Sequence, residues 1–290
     1  MTNPAPGRSS GTRSSRHSSR SPASSSPRTS ATSTRTSRSG SSPPEARLTA
    51  TGPANDARPV DLRGLRVRLA RDPEAAAQAL LGAFLVRDDA SGQRVGRIVE
   101  VEAYDGPDDR ASHARFGRTR RNAVMFGPPG VAYVYLVYGM YSCLNVVTGP
   151  DGSASACLIR AVEPVAGVDA MREARVRYER SRRRRSDPKH DLAGETRLRA
   201  LSPERLASGP GLVAAAFGID RALNGLDLCD PASPLRFELS GGREGRALDH
   251  LPVVRTARLG IDYAGPPWTE VPWRFAIDGN PAVSGRSRTS

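Results

Sequence analysis

Apolar and polar positions alternate most cleanly over residues 97–104. Val99, Val101 and Ala103 fall on one face of a predicted strand, and Glu100, Glu102 and Tyr104 on the other. Two acids and a tyrosine on one face suit a strand with one wet side, and they equally suit a site that activates water. The same pattern predicts strands at 84–86, 131–138, 141–148 and 155–163, separated by turn residues at 88–92, 139–140 and 149–152. Asp72-Pro73-Glu74 starts a helix, with Asp at the N-cap, Pro in the first turn and Glu complementing the dipole; Gly82 is its stop. Helical patterns also cover 167–178 and the stretch from Ser208 to Phe217. Residues 226–283 read as short strands and turns. Strands outnumber helices and lie in adjacent runs, so the expected fold is one α+β domain with a largely antiparallel sheet.

Three stretches lack this periodicity. Residues 1–57 are low-complexity Ser/Arg/Thr/Pro and carry too little apolar surface to offset the entropy of ordering, so a disordered tail is expected before a folded domain at 58–285. Residues 108–130 form a long basic segment with Arg110, Arg115, Arg118, Arg120 and Arg121, and a long loop inside a compact domain is commonly functional. Residues 179–204 include Arg182-Arg183-Arg184-Arg185 and are expected to be an exposed basic insert loop.

The chain has 290 residues, 38% of them apolar, and a formal charge of +13. That balance favours a polyanionic partner, although the basic tail supplies part of it. Lys189 is the one lysine among 43 basic residues, so Schiff-base chemistry has a single candidate. Cys143, Cys157 and Cys229 are odd in number and far apart, with no CxxC or Cys/His ligand spacing. No disulfide framework, metal site or cofactor is therefore expected, and a reducing cytoplasm is the expected setting. No run of about 18 apolar residues indicates a membrane helix. The N-terminus lacks the apolar core of a secretory signal, and its Arg/Ser-rich start lacks the amphipathic period of a transit peptide.

Taken together, the strand acids, the basic loop and the tyrosine strands have a chemical reading. Arginines can bind a phosphate backbone, while Tyr104, Tyr135 and His113 offer flat faces on which an extracted base could stack. Tyr138 is opposite Tyr133 and Tyr135 in a regular strand, but it directly precedes Gly139 and could project from a turn as a wedge. Arg160 lies inside a predicted strand, an expensive place for a charge unless it is paired. A carboxylate that deprotonates water completes the set for a nucleotide-flipping hydrolase. Alternation alone treats Glu100 and Glu102 as equals.

The words Gly96-Arg97-Ile98-Val99-Glu100-Val101-Glu102-Ala103-Tyr104, Ser112-His113, Gly117-Arg118-Thr119, Arg121-Asn122, Tyr133-Val134-Tyr135, Tyr138-Gly139-Met140-Tyr141, Leu158-Ile159-Arg160-Ala161-Val162-Glu163-Pro164 and Trp273-Arg274-Phe275 resemble the alkyladenine (3-methyladenine) DNA glycosylases of the vertebrate type, a family with bacterial members. The resemblance spans residues 69–283, with Arg120 standing where many relatives carry proline. It implies a curved sheet flanked by helices, similar to the formyltransferase C-terminal domain. It implies a monomer acting on damaged double-stranded DNA with no cofactor, in a bacterial cytoplasm close to the nucleoid. By the family word, Glu102 would be the general base and Arg160 its partner. Tyr104 and His113 would stack on one face of the flipped base and Tyr135 on the other. Ala111 and Asn145 would line the base pocket, and Tyr138 would fill the gap left in the duplex. Glu100 would fall back to a surface or supporting carboxylate. A non-catalytic nucleic-acid-binding protein is the competing reading; it would keep the tyrosines but have no need of Glu102 and Arg160 together. A metal-dependent nuclease lacks the clustered acids and histidines it needs.

Overall fold

The computed structural model describes residues 62–137, 139–182, 188–239 and 252–285. The expected N-terminal tail and Tyr138 lie outside the described residues. Helices α1 (Leu62–Leu69) and α2 (Pro73–Leu80) come first. The Asp72 side chain accepts a hydrogen bond from Ala75 N, as its N-cap position predicts. Strands β1 (Phe84–Arg87) and β2 (Arg94–Tyr104) form a hairpin. Strands β3 (Ala132–Val137), β4 (Tyr141–Thr148) and β5 (Ser155–Ala166) then lie in consecutive antiparallel order. Helices α3 (Val168–Arg182), α4 (Pro188–Arg199) and α5 (Pro210–Phe217) follow, then β6 (Leu235–Glu238), β7 (Val253–Thr256) and β8 (Arg274–Ile277).

The eight strands form one sheet in the order β3-β4-β5-β2-β1-β6, with β8 joining β2 to β7, and every pairing is antiparallel. The α+β expectation holds. β2 is the central strand. One edge pairs with β5; the other is shared, Arg94–Arg97 bonding to β1 and Glu100–Glu102 to β8. Both edges of β2 are paired, and on its polar side the segments carrying Leu259 and Ser284 cover Glu102 and Glu100, which are fully buried. This corrects the two-faced strand read from alternation: a local pattern cannot report that C-terminal segments return to cover the polar side.

The β2–β5 register shifts between Val95 and Gly96 and again on both sides of Glu100. Ile98 pairs with Val162, Glu100 with Ala161 and Val101 with Ile159, so Val99 on β2 and Arg160 on β5 are skipped by the ladder. Such bulges bend a strand and re-aim side chains. Val99 accordingly leaves the face of Val101 and Ala103 and packs with Ala161, Ala276 and Ile277. Val101 and Ala103 join the main core of Leu65, Leu80, Leu85, Leu144, Ile159, Phe217, Phe237 and Phe275 between sheet and helices. Each fully buried side chain of this size contributes about 1.5–3 kcal/mol.

Gly96 is required by the close approach of β5, with the α5 residue Phe217 next. A Cβ there would lie 2.4 Å from Val162 Cγ1 and 2.9 Å from the Glu163 carbonyl, with the Phe217 ring at 3.2 Å. The segment expected as a basic insert loop is largely helical instead: α3 runs on to Arg182 and α4 follows. Arg180–Glu195 and Arg199–Glu173 ion pairs tie the two helices together. A polar, charge-rich stretch offers no apolar stripe, so helix and solvated loop look alike in it.

Candidate active site

β2 delivers Glu100, Glu102 and Tyr104 to the side of the sheet opposite the main core, and the β5 bulge turns Arg160 toward them. Arg160 Nε lies 2.9 Å from Glu100 Oε1, and its NH1 lies 3.2 Å from Glu102 Oε2. The pairing expected between Arg160 and Glu102 is present, with Glu100 as a second partner. Glu102 also accepts from Tyr104 Oη (2.9 Å) and from Leu259 N (2.8 Å). Glu100 is neither at the surface nor peripheral. It accepts from Arg160 Nε, Arg274 Nε (2.7 Å), Ser284 N (2.6 Å) and Ser284 Oγ (2.9 Å). Burial opposes ionisation of Glu100, but Arg160, the Ser284 amide and Arg274 outweigh it and hold its carboxyl below the usual range. Burial likewise opposes the Arg160 charge, and Glu102 and Glu100 overcome it, raising that guanidinium further.

Beside this cluster lies a small pocket. Tyr104, Ala111, His113, Tyr135 and Asn145, the five residues expected to hold a base, all line it. Met125, Tyr133, Ala156 and Tyr263 complete the lining. Glu102 does not line the pocket itself; Tyr104 connects it, one end at the wall and its hydroxyl on the carboxylate. His113 does not face Tyr135 across a gap. Their centroids are 4.3 Å apart at 73°, in edge-to-face contact. A base held between two rings needs about 7 Å at ordinary van der Waals spacing, so the rings stand closed on each other.

The basic loop is ordered by Asn122. This buried side chain donates to the carbonyls of His113 (3.0 Å) and Gly117 (2.9 Å) and accepts from Thr119 N (2.6 Å), pinning the short 3-10 turn that carries His113. His113 Nδ1 lies 3.0 Å from Tyr133 Oη. Burial first, then Arg121 and Arg115, push the imidazole down to about 4, so the ring is neutral at neutral pH. Burial also pushes Tyr133 up to about 12 and raises Tyr104 and Tyr135 well above the phenol range. The pocket wall is therefore aromatic and uncharged.

Sequence reasoning missed the second wall. Residues 257–264 bring the Leu259 amide to Glu102, place Tyr263 on the pocket and let its hydroxyl donate to the Ala111 carbonyl (2.9 Å). Arg258 is buried, paired with the buried Asp109, bonded to the Ala103 carbonyl at 3.0 Å, and 4.8 Å over the Tyr104 ring. No local signal marks these residues; they lie in a turn-rich stretch about 150 positions from their partners. On the other side of Tyr135, Arg120, Arg121, Arg221 and Asn224 line a groove along the β3 edge.

A buried carboxylate–guanidinium cluster thus lies next to a closed aromatic pocket on one antiparallel sheet. Residues 68–281 match the family described as methylpurine-DNA glycosylase, and the chain belongs to that family. It is thus a DNA glycosylase, a hydrolase of N-glycosyl bonds acting in DNA repair. The chain is similar to a protein of an Anaeromyxobacter species at 44% identity over 216 residues, covering 74% of this chain and 89% of the relative. It is similar to one of Methanocella arvoryzae at 44% over 211 residues, covering 73% and 90%. A Koribacter versatilis protein is 40% identical over 217 residues, covering 74% and 90%. All three carry the name "Putative 3-methyladenine DNA glycosylase". Among the described residues no helix is long and apolar enough to cross a membrane.

Proposed function

We propose that the protein flips alkylated or deaminated purines out of duplex DNA and hydrolyses their glycosidic bond, acting as a monomer and leaving an intact abasic site. The observation that carries this reading is the Glu102–Arg160 pair joined through Tyr104 to the aromatic pocket. Glu102 is the general base and holds a water against C1′; Arg160 keeps the carboxylate in place. The base lodges among Tyr104, His113 and Tyr135, with Ala111 and Asn145 at its edges. An alkylated purine is cationic and leaves readily, and neutral His113 adds no repelling charge beside it. Because His113 and Tyr135 touch, entry of the base must part them. Glu102 is fully buried, so access of water to it accompanies the same opening.

Arg120, Arg121 and Arg221 in the adjoining groove make no ion pair among the described residues and suit the phosphates flanking the flipped nucleotide. Tyr138 would occupy the space the base vacates. The enzyme is monofunctional: strand cleavage through an imine needs an amine, and the one lysine, Lys189, is on α4. Incubation with duplexes carrying 3-methyladenine, hypoxanthine or ethenoadenine should yield alkali-labile abasic sites without direct nicking. Release from none of them would overturn the proposal.

A further inference from the structure

We infer that Glu100 is a positioning residue for base release: with Arg274 and Ser284 it fixes Arg160 against Glu102 and sets the charge that Glu102 experiences. The geometry is specific. Arg160 reaches three partners at once, through Nε to Glu100, NH1 to Glu102 and NH2 to Ser284 Oγ at 3.3 Å. Glu100 reaches four donors, two of them on Ser284 near the end of the described chain and one on β8. A guanidinium with a single carboxylate could rotate about its long side chain. One held from two sides by fully buried acids cannot, and a displaced partner of about 1 Å can lower a rate 100-fold. Glu100 touches neither the pocket nor Glu102, so its effect travels through Arg160.

The charges around Glu102 define the readout. Arg160 faces it from β5, Tyr104 from its own strand, Tyr135 from β3, Cys143 from β4, and the Leu259 amide from the C-terminal segment. Burial keeps both tyrosines protonated and pushes the Cys143 thiol up to about 11. Arg258, over Tyr104, is neutralised by Asp109. Glu100, Arg160 and the more distant Arg274 are therefore the charges that matter in the working pH range. Replacing Glu100 by the neutral isostere removes a like charge and leaves Arg160 to Glu102 alone. The acidic limb of the pH–rate profile then moves to lower pH.

This rests on the reading of Glu102 as the base, and the test separates the two. Single-turnover release from a hypoxanthine duplex is measured against pH for Glu102→Gln, Glu100→Gln, Glu100→Asp and Ser284→Ala, with duplex affinity and urea unfolding measured alongside. Glu102→Gln tests the base reading alone: release near the wild-type rate sinks that reading whatever the others do. Glu100→Gln should lose about 10- to 100-fold in rate, the range found when a partner behind an active group is removed. Its acidic limb should move down and its duplex affinity stay unchanged. Glu100→Asp, which keeps the charge, should restore the limb. Should Glu100→Gln fail to fold, Ser284→Ala, which removes one contact from each of Glu100 and Arg160 but keeps both charges, carries the test: release should slow by a smaller factor with duplex affinity and unfolding midpoint unchanged. A folded Glu100→Gln with the wild-type profile, or a loss explained by unfolding with an unmoved limb, overturns the inference; so does a wild-type release rate in Ser284→Ala where that variant carries the test.

Discussion

Glu102 is held by a guanidinium, a phenol and a backbone amide, yet it is the residue whose chemistry can be removed without changing its shape. Glu102→Gln should reduce base release by at least about 1,000-fold, within the range for a lost general base plus its electrostatic role. Duplex affinity should remain within about twofold, read by fluorescence anisotropy against single-turnover release. His113 gives a second residue-scale prediction. Its folded pKa, about 4, lies below the ordinary 6.5 because burial disfavours the charged ring. Between those values the unfolded chain binds the proton that the fold refuses, so stability is full above 6.5 and falls as pH drops toward 4. His113→Asn should flatten the dependence of Tm on pH across that window. An unchanged slope would contradict burial as the cause. At this scale a partner for Arg160 was readable, because a charge inside a strand demands one; that Glu102 should be that partner came from the family word. Glu100 was expected at the surface or in a supporting place, and its burial against Arg160 removes the first option, which alternation could not decide because it reports a face and not what covers it.

Elements impose their own constraints. β5 comes close to β2 at Gly96, where a Cβ would meet Val162 and the Glu163 carbonyl, so Gly96→Ala should cost about 1–3 kcal/mol by overpacking, read as a lower urea midpoint with an unchanged slope. The end of α3 braces the β3–β4 turn. The Tyr178 ring stacks on Tyr141 at 5.5 Å, its hydroxyl donates to the Met140 carbonyl, and Arg182 sits 4.1 Å over Tyr141. Tyr178→Ala should speed amide hydrogen exchange at Met140 and Tyr141 while leaving β5 unchanged. Strands β3, β4 and β5 were legible because each carries its own alternation and β-forming residues. α4 was not, since the sequence over 188–199 lacks an apolar period; in the fold, ion pairs connect it to α3.

For the whole molecule, charge sets the encounter with DNA. Among the described residues Arg120, Arg121 and Arg221 make no ion pair beside the pocket, whereas Arg94, Arg236 and Arg258 are taken up in ion pairs. Arg221→Ala should weaken binding to lesion and undamaged duplexes alike and reduce the slope of log K against log salt by about 1. A loss confined to lesion-bearing duplex would place Arg221 in base recognition instead.

By itself, the order of residues determined the antiparallel α+β plan, the basic loop, and the set of aromatic and acidic side chains from which a site could be made. These follow from period, turn chemistry and residue type, all local properties. Only the tertiary structure decided that β2 is covered on both sides, that a bulge turns Arg160 onto two acids at once, and that residues 257–264 close the pocket over Glu102. Those outcomes depend on contacts across 60 to 184 positions, set by how buried charges find partners when the sheet closes. The acid that looked spare in the strand is for that reason the one with the most donors around it.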